Sequence, residues 1–268
     1  MKKVIQYIFF FLSVSILALG IQNCASDAQD LGVTDSSDTG IGGSYARFMI
    51  VGDFMYIVGT NSIQTLSLSN PTEPEVLDEQ FITEGVESIF NLGTKLFVGS
   101  NNGFFIYDIE ENGIPEKLSE FLYEQIQIFN TCDPIVVNDS LAYVTLNTTT
   151  VVGRCRRIIQ AQVNVLNIFS IRELDNPTLL AQYEMHNPKG VGLDGTTLFV
   201  CENDLGLKVF DVSNPVDIQL IAHFDDFTAF DVIPLGGLLL VVGPENVYQF
   251  DYSDLNNIHK ISEIRIGA

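Results

Sequence analysis

One short pattern recurs along this chain and limits what the chain can fold into. Its clearest copy runs from Gly206 to Pro215, where apolar and polar residues alternate until a Ser-Asn-Pro turn. Alternation at period two indicates a half-buried strand, and Asn-Pro indicates the start of a turn. Related copies occur at residues 62–71, 103–109, 163–169 and 246–252. A strand-and-turn unit that recurs in this way predicts a repeat architecture.

The units have a nearly regular period. A turn followed by an apolar strand precedes each copy, and its first residues are separated by 41, 46, 56 and 41 residues: Gly52, Gly93, Asp139, Gly195 and Gly236. In the first unit the pattern predicts strands at 47–51, 54–58, 63–68 and 75–82. Four-stranded units of this length are typical of propeller blades. The sequence therefore predicts an all-β fold, a five-bladed β-propeller of four-stranded antiparallel blades, over residues 46–268. A β-sandwich of equally short strands is the alternative, but it does not require a fixed period.

The fourth unit also resembles a known repeat family. Residues 206–215, preceded by the strand Thr197–Val200, resemble the LVIVD repeat, in which a Tyr-Val strand precedes Gly-Leu-x-Val-x-Asp-x-Ser-x-Pro. The fifth unit departs from this pattern, with residues 254–257 in place of Ser-Asn-Pro. The resemblance implies a propeller of the kind found in bacterial and archaeal surface proteins. It implies no catalytic residue and no cofactor.

The N-terminal segment has the layout of an export signal. Lys2 and Lys3 precede an apolar run from Val4 to Leu19, and Cys24 follows shortly after it. The run is short for a membrane span. A cysteine in this place resembles a bacterial lipoprotein motif, although Ile21 and Asn23 depart from its usual residues. The resemblance implies a signal peptide over 1–23, cleavage before Cys24 and attachment to the membrane through a lipid on that thiol. Ordinary secretion and an uncleaved anchor are the alternatives.

The segment after the cysteine reads as a tether. Residues 24–45 are rich in Ser, Asp, Gly and Thr, and they contain too little apolar surface to offset the entropy lost on ordering. Asp27 and Asp30 resemble the surface-export signals of some Bacteroidetes lipoproteins. The predicted location is therefore the bacterial outer membrane or cell surface, with the propeller held there by its lipid.

The charge balance limits the choice of partners. The formal net charge is −21. A chain this acidic repels the phosphates of nucleic acids, so a nucleic-acid partner is not expected. The excess charge otherwise serves solubility.

The third unit carries an insertion between its second and third strands, at about residues 147–162. The insertion contains Cys155, and Cys132 precedes the first strand of the same unit. Both positions belong to one face of a propeller, and exported proteins meet an oxidising environment, so the sequence predicts a disulfide between them. Two free thiols are the alternative. Cys201 ends a strand and reads as a small buried apolar residue.

The face that carries this disulfide is the best candidate for a binding site. Its predicted residues lie at the starts of first strands, in the loops between second and third strands, and in the insertion: Arg47, Glu87, Asp133, Lys189, Asp231; Glu202, Asp204; Arg154, Arg156 and Arg157. Such a ring could bind a cation, a glycan or a basic peptide. The alternative is that these side chains are solvated or cap turns for backbone reasons. The insertion arginines could equally pair with neighbouring acids.

The sequence contains no metal-binding spacing such as His-Glu-x-x-His or Cys-x-x-Cys and no nucleotide or nucleophile-elbow motif. No catalytic residue, metal or cofactor is therefore predicted. The function indicated is that of a non-catalytic binding platform whose ligand, a protein, glycan or cation, the sequence does not name. The alternatives are a carbohydrate-active hydrolase using rim carboxylates, such as Glu87, Asp133 and Asp231, and a purely structural envelope protein.

Overall fold

The strands form five consecutive antiparallel sheets. In the computed structural model, residues 44–126, 131–132, 134–148 and 163–266 are described, and all of them lie in one unit, Ser37–Ala268. Blade 1 comprises β1 (Phe48–Val51), β2 (Phe54–Val58), β3 (Ser62–Ser67) and β4 (Glu75–Phe81). Blade 2 comprises β5 (Val86–Leu92), β6 (Lys95–Ser100), β7 (Gly103–Ile109) and β8 (Pro115–Leu122).

The remaining three sheets follow in the same order. Blade 3 comprises β9 (Thr131–Cys132), β10 (Ile135–Val137), β11 (Leu141–Thr148), β12 (Asn164–Ser170) and β13 (Thr178–Glu184). Blade 4 comprises β14 (Val191–Asp194), β15 (Thr197–Cys201), β16 (Leu207–Asp211) and β17 (Gln219–Phe224). Blade 5 comprises β18 (Asp231–Leu235), β19 (Leu238–Val242), β20 (Asn246–Asp251) and β21 (His259–Arg265). The described residues contain one short 3-10 helix, Tyr123–Ile126, and no helix of the length and apolar character that a membrane span requires.

Each blade is a meander in which every strand pairs with the next one along the chain. The first strands of successive blades lie against one another, so they form the centre of the fold and the fourth strands its periphery. β9 is an addition, because it pairs with the end of β11 outside the four-strand path. This arrangement confirms the predicted five-bladed β-propeller, since a sandwich would place the strands in two facing sheets.

The core lies between neighbouring blades. Four clusters of buried apolar side chains fill the boundaries between blades 1 and 2, 2 and 3, 3 and 4, and 4 and 5. In blade 4, for example, Leu198 and Val200 face blade 3, whereas Phe199 and Cys201 face blade 5. Because both faces of this strand are covered, it is apolar at consecutive positions, as is usual for doubly buried strands.

The turn that ends the repeat pattern is built from its own side chains. The Asp211 carboxylate accepts a hydrogen bond of 2.8 Å from the Ser213 backbone N–H, and the corresponding bond in blade 5, between Asp251 and Ser253, measures 2.9 Å. These bonds hold the pKa of each aspartate below its ordinary value. The fifth unit therefore keeps the Asp-x-Ser part of the turn although its following residues differ.

The folded region begins earlier than composition indicated. The sequence predicts Ser44 as part of the tether, but in the structure Ser44 is buried and only 1 % exposed. Its hydroxyl accepts a 2.8 Å hydrogen bond from the Val191 N–H of blade 4 and donates a 3.1 Å bond to Asp231 of blade 5. Composition could not indicate this, because the groups that hold Ser44 lie 147 and 187 residues away along the chain.

Candidate binding face

The predicted site residues that the structure describes lie on one side of the propeller, where the first strand of each blade begins beside the end of the second. In blade 4, the Lys189 N–H donates to the carbonyl of Cys201 over 2.8 Å, and the Cys201 N–H donates to Gly190 over 2.9 Å. In blade 5, the Phe230 N–H donates to the carbonyl of Val242 over 2.7 Å. This side, which also carries the loops between second and third strands, is called the loop face below.

Blade 3 extends furthest on the loop face. Its second strand, β11, has eight residues, whereas those of the other blades have five or six. The backbone of Cys132 in β9 pairs with Asn147 near the end of β11. Residues 149–162, which follow β11, lie outside the described residues. Arg154, Cys155, Arg156 and Arg157 are therefore not placed, nor are Asp133, Cys24 and the side chain of Cys132. The predicted disulfide stays a prediction.

Arg47 lies where blades 1 and 2 meet, and its side chain donates hydrogen bonds to backbone carbonyls of both blades. Its guanidinium donates to the carbonyl of Gly59 at the end of β2 over 2.6 Å. It also donates to the carbonyls of Val86 and Glu87 at the start of β5, over 3.2 and 3.5 Å. The fork of a guanidinium suits several acceptors at once. Arg47 thus joins two blades at the loop face, and Glu87 contributes its carbonyl to the same contact.

Glu202 is the most completely buried of the described site predictions, with 0 % exposure. One carboxylate oxygen accepts the backbone N–H groups of His186 and Asn187 over 2.9 and 2.8 Å. The other accepts a 2.7 Å bond from the Lys208 ammonium. A buried carboxylate requires such pairing to offset its lost hydration. Glu202 therefore anchors the connection from blade 3 to blade 4.

Asp231 holds the N-terminal end of the described chain. Its carboxylate accepts hydrogen bonds from the Ser44 hydroxyl over 3.1 Å and from the Val232 N–H over 2.9 Å. Burial raises the pKa of this carboxyl above its ordinary value, although these hydrogen bonds act in the opposite direction. An added Cβ on Gly190 would lie only 2.4 Å from an Asp231 oxygen, so glycine makes room for the carboxylate.

The remaining described predictions are more open to solvent. Asp204 is exposed on the loop after Glu202, and its carboxylate lies 3.6 Å from the ring of His186. Lys189 is half-buried, and its carbonyl accepts a 2.5 Å bond from the Thr145 hydroxyl of blade 3. Among the described residues, no group of three His, Cys, Asp or Glu side chains is arranged to hold a metal. Cys201 is fully buried and burial raises the pKa of its thiol, which fits the predicted apolar role and not a nucleophile.

Two partners of the site were not found from the sequence. The alternation predicts Lys208 only as a polar residue of a strand, and composition predicts Ser44 as part of the tether. The available signal was the hairpin itself, since Glu202 precedes the turn and Lys208 follows it, with opposite charges. The contacts of Glu202 with two backbone N–H groups have no sequence signal, because any residue type supplies a backbone N–H.

Two segments of the sequence, residues 42–79 and 189–226, match the family model of the LVIVD repeat. The chain contains LVIVD repeats. The matched segments correspond to blades 1 and 4, so the family pattern and the sheet topology describe the same unit. The Asp-x-Ser residues of the matched pattern in blade 4 are those that close the turn between β16 and β17. No curated protein matches the sequence.

Solved structures with a similar fold are distant in sequence. A protein of unknown function from Desulfotomaculum acetoxidans DSM 771 is 12% identical with a TM-score of 0.60, over 86% of this chain and 70% of that chain. The periplasmic gluconolactonase PpgL of Pseudomonas aeruginosa is 14% identical with a TM-score of 0.56, over 82% and 68%. The computationally designed Ika8 protein is 8% identical with a TM-score of 0.57, over 81% of this LVIVD-repeat chain and 60% of its own. At these identities the likeness shows the fold alone.

Proposed function

We propose that this LVIVD-repeat propeller is a lipid-anchored, non-catalytic binding platform at a bacterial outer membrane or cell surface. The observation that carries the proposal is the extension of blade 3 on the loop face by β9 and the long β11. These strands lead directly into residues 149–162, where three arginines interrupt an otherwise acidic chain. Loops on a rigid scaffold are the usual place for recognition.

The described rim residues favour the insertion over the channel as the recognition surface. Arg47, Glu202 and Asp231 each hold parts of the scaffold together through the contacts given above. A side chain that joins two blades has little freedom to bind a ligand. The arginines of the insertion would instead select a partner that carries acidic groups, and the Cys132–Cys155 disulfide would hold the insertion in place.

Replacing Arg154, Arg156 and Arg157 with alanine is expected to lower partner affinity about tenfold or more, since a charge-assisted contact is worth about 1.5–3 kcal/mol. Full-length protein in mild detergent would be used to capture envelope proteins and glycans at low and high salt. Arg172→Ala is the matched control, because Arg172 is an exposed blade 3 arginine between β12 and β13, away from the loop face. An identical captured set for all three proteins would contradict the proposal.

Replacing Cys24 with alanine tests the anchor. The thiol is the proposed attachment point of the lipid, so the variant is expected to incorporate no labelled fatty acid and to leave the detergent phase on phase partitioning. Cys201→Ala serves as the control because that thiol is buried in blade 4. A Cys24→Ala protein that still fractionates with membranes would point to an uncleaved apolar segment as the anchor.

A further inference from the structure

Four of the five blade boundaries are filled by buried apolar clusters, and the fifth is not. Each cluster joins one blade to the next along the chain, from blade 1 to blade 5. Within the described residues, no such cluster joins blade 5 to blade 1. The first and last blades therefore each bury one sheet face well and leave the other partly exposed.

The partly exposed faces can be read from strand register. In blade 1, Met49, Tyr56 and Ile63 belong to the cluster shared with blade 2. In blade 5, Val232, Leu239 and Tyr248 belong to the cluster shared with blade 4. Alternation places the neighbouring residues on the opposite faces, which we call the free faces. The free face of blade 1 contains Phe48, Ile50, Met55, Ile57 and Leu66, and that of blade 5 contains Ile233, Leu235, Leu238, Leu240, Val242 and Val247; none of them is buried.

The second strands of blades 5 and 1 have the continuous apolar sequence that is usual for strands buried on both faces. β19 reads Leu-Leu-Leu-Val-Val and β2 reads Phe-Met-Tyr-Ile-Val. β15 of blade 4 has the same character, Thr-Leu-Phe-Val-Cys, and all five of its residues are buried. In β19, and in β2 from Met55 onward, buried and partly exposed residues alternate instead. A continuous apolar strand with one open face is therefore a strand whose partner surface is missing.

The exposed apolar side chains show the same asymmetry. Fourteen large apolar side chains are exposed in the described chain, and nine of them belong to blades 1 and 5: Phe48, Val76, Leu77, Phe81; Leu235, Leu255, Ile261, Ile264 and Ile266. An exposed apolar surface concentrated in this way marks an interaction site more often than chance. The middle of each free face, around Ile57 and Leu240, carries no charged side chain, so its partner must be apolar.

Among the described residues, the hydrogen bonds that link outer strands and their turns to the next blade also stop at this boundary, although Ser44, just before β1, donates to Asp231 of blade 5. The outer strand of blade 1 reaches the turn of blade 2 through Gln80, whose amide donates to Pro115 over 2.9 Å. Blade 2 reaches blade 3 through Ser119 and Leu174, and Tyr183 of blade 3 donates to Pro215 of blade 4 over 3.0 Å. In blade 5, the Ser262 hydroxyl instead donates to Gln249 of its own sheet, over 2.9 Å.

We propose that the two free faces form an interface with a second copy of this chain, with blade 5 of one copy packed on blade 1 of the other. The four filled boundaries show which surface packs against a free face. At each of them, one face of a blade packs against the opposite face of the next blade. The free face of blade 1 is therefore the surface that would pack against the free face of blade 5. Two copies related by a twofold axis would satisfy both contacts at once, so the expected assembly is a dimer.

Crosslinking tests the orientation directly. Ile57→Cys and Leu240→Cys would be introduced into separate full-length chains, mixed in mild detergent, and treated with a short bismaleimide. The mixture is expected to give a product of twice the chain mass, at least about tenfold above either variant alone, because the two positions face each other only across copies. Leu220→Cys is the control, since Leu220 is an exposed apolar residue of blade 4.

The chain carrying both substitutions separates a dimer from closure within one copy. A crosslink inside single chains, without dimer, would overturn the proposal, as would a yield no higher than that of Leu220→Cys. The mass in solution gives a second readout: wild type and Leu220→Glu should be dimeric, and Leu240→Glu monomeric with an unchanged circular dichroism spectrum. A wild type that is monomeric at every concentration would equally overturn it. If Leu240→Glu does not fold, the milder cysteine variants still decide the question.

Discussion

Replacing Glu202 with alanine is expected to lower the free energy of unfolding by about 3–5 kcal/mol, the cost of removing one partner of a buried pair. The carboxylate is fully buried and accepts bonds from two backbone N–H groups and one ammonium. Without it, the N–H groups of His186 and Asn187 lose their acceptor, and Lys208 is left with a mostly buried charge. The variant therefore loses more than an ion pair.

Urea unfolding followed by circular dichroism measures this loss, with Glu245→Ala as the matched control. Glu245 pairs with Arg265 over 3.4 Å, and both side chains are largely exposed. Such surface pairs contribute about 0–1 kcal/mol. Glu202→Gln should fall between the two, because its amide oxygen can still accept N–H groups while its charge is gone. Equal stabilities for Glu202→Ala and Glu245→Ala would show that the buried carboxylate is not the anchor described here.

The consequences of Glu202→Ala should spread from blade 4 to blade 3. The connection between blades 3 and 4 that Glu202 holds also contacts Asn147 of β11. The side-chain amide of Asn147 donates hydrogen bonds to the side-chain oxygen of Asn187 and, over 3.3 Å, to the carbonyl of Pro188. Asn147 is the residue opposite Cys132 in β9. The anchor thus lies beneath the extension of blade 3 that is proposed to carry recognition, so loosening it should weaken binding as well as stability.

The blades could be predicted because their determinants are local. Period-two alternation, apolar second strands and turn residues lie within one unit, and the predicted 54–58 agrees with β2, Phe54–Val58. The observed ends of the other three strands of blade 1 differ from the predicted ends by at most one residue. Each strand end depends on hydrogen bonds that composition does not specify.

The roles of the rim residues could not be predicted in the same way. The sequence predicts Arg47, Glu202 and Asp231 as ligand-binding candidates, and the structure shows them in contacts within the scaffold. Their observed partners are carbonyls, backbone N–H groups and a serine from other blades. A polar residue near a turn has the same sequence appearance whether it caps a neighbouring blade or faces solvent. Only the packing of the blades distinguishes the two.

The free faces illustrate the converse. Their strands have the apolar composition of interior strands. An apolar sequence indicates that a face is buried by some contact, but it does not indicate whether the contact lies within one chain. Strand β19 was predicted correctly as an apolar second strand. That its residues Leu238, Leu240 and Val242 remain partly exposed follows only from the absence, in the described chain, of a cluster between blades 5 and 1.

Replacing Gly206 with alanine is expected to lower the free energy of unfolding by about 2–5 kcal/mol, and it tests why the repeat begins with glycine. Two costs combine there. The backbone of Gly206 has φ of +69°, a region that costs other residues about 1–2 kcal/mol. An added Cβ would also lie 1.9 Å from the carbonyl oxygen of Phe224 in the outer strand. Relieving that overlap requires a backbone shift, at about 1–3 kcal/mol.

Two other glycines separate these costs. Gly195 has φ of +56° with no atom within 4 Å of an added Cβ, so Gly195→Ala carries the backbone cost alone. Gly103, at the same place in blade 2, has no left-handed backbone, but its Cβ would lie 2.2 Å from the carbonyl of Phe121, so Gly103→Ala carries the overlap alone. Urea unfolding of the three variants should place Gly206→Ala near the sum of the other two, because both costs act together at Gly206. A loss for Gly206→Ala no larger than that for Gly195→Ala would mean that the close approach of the outer strand does not dictate glycine at the start of the repeat.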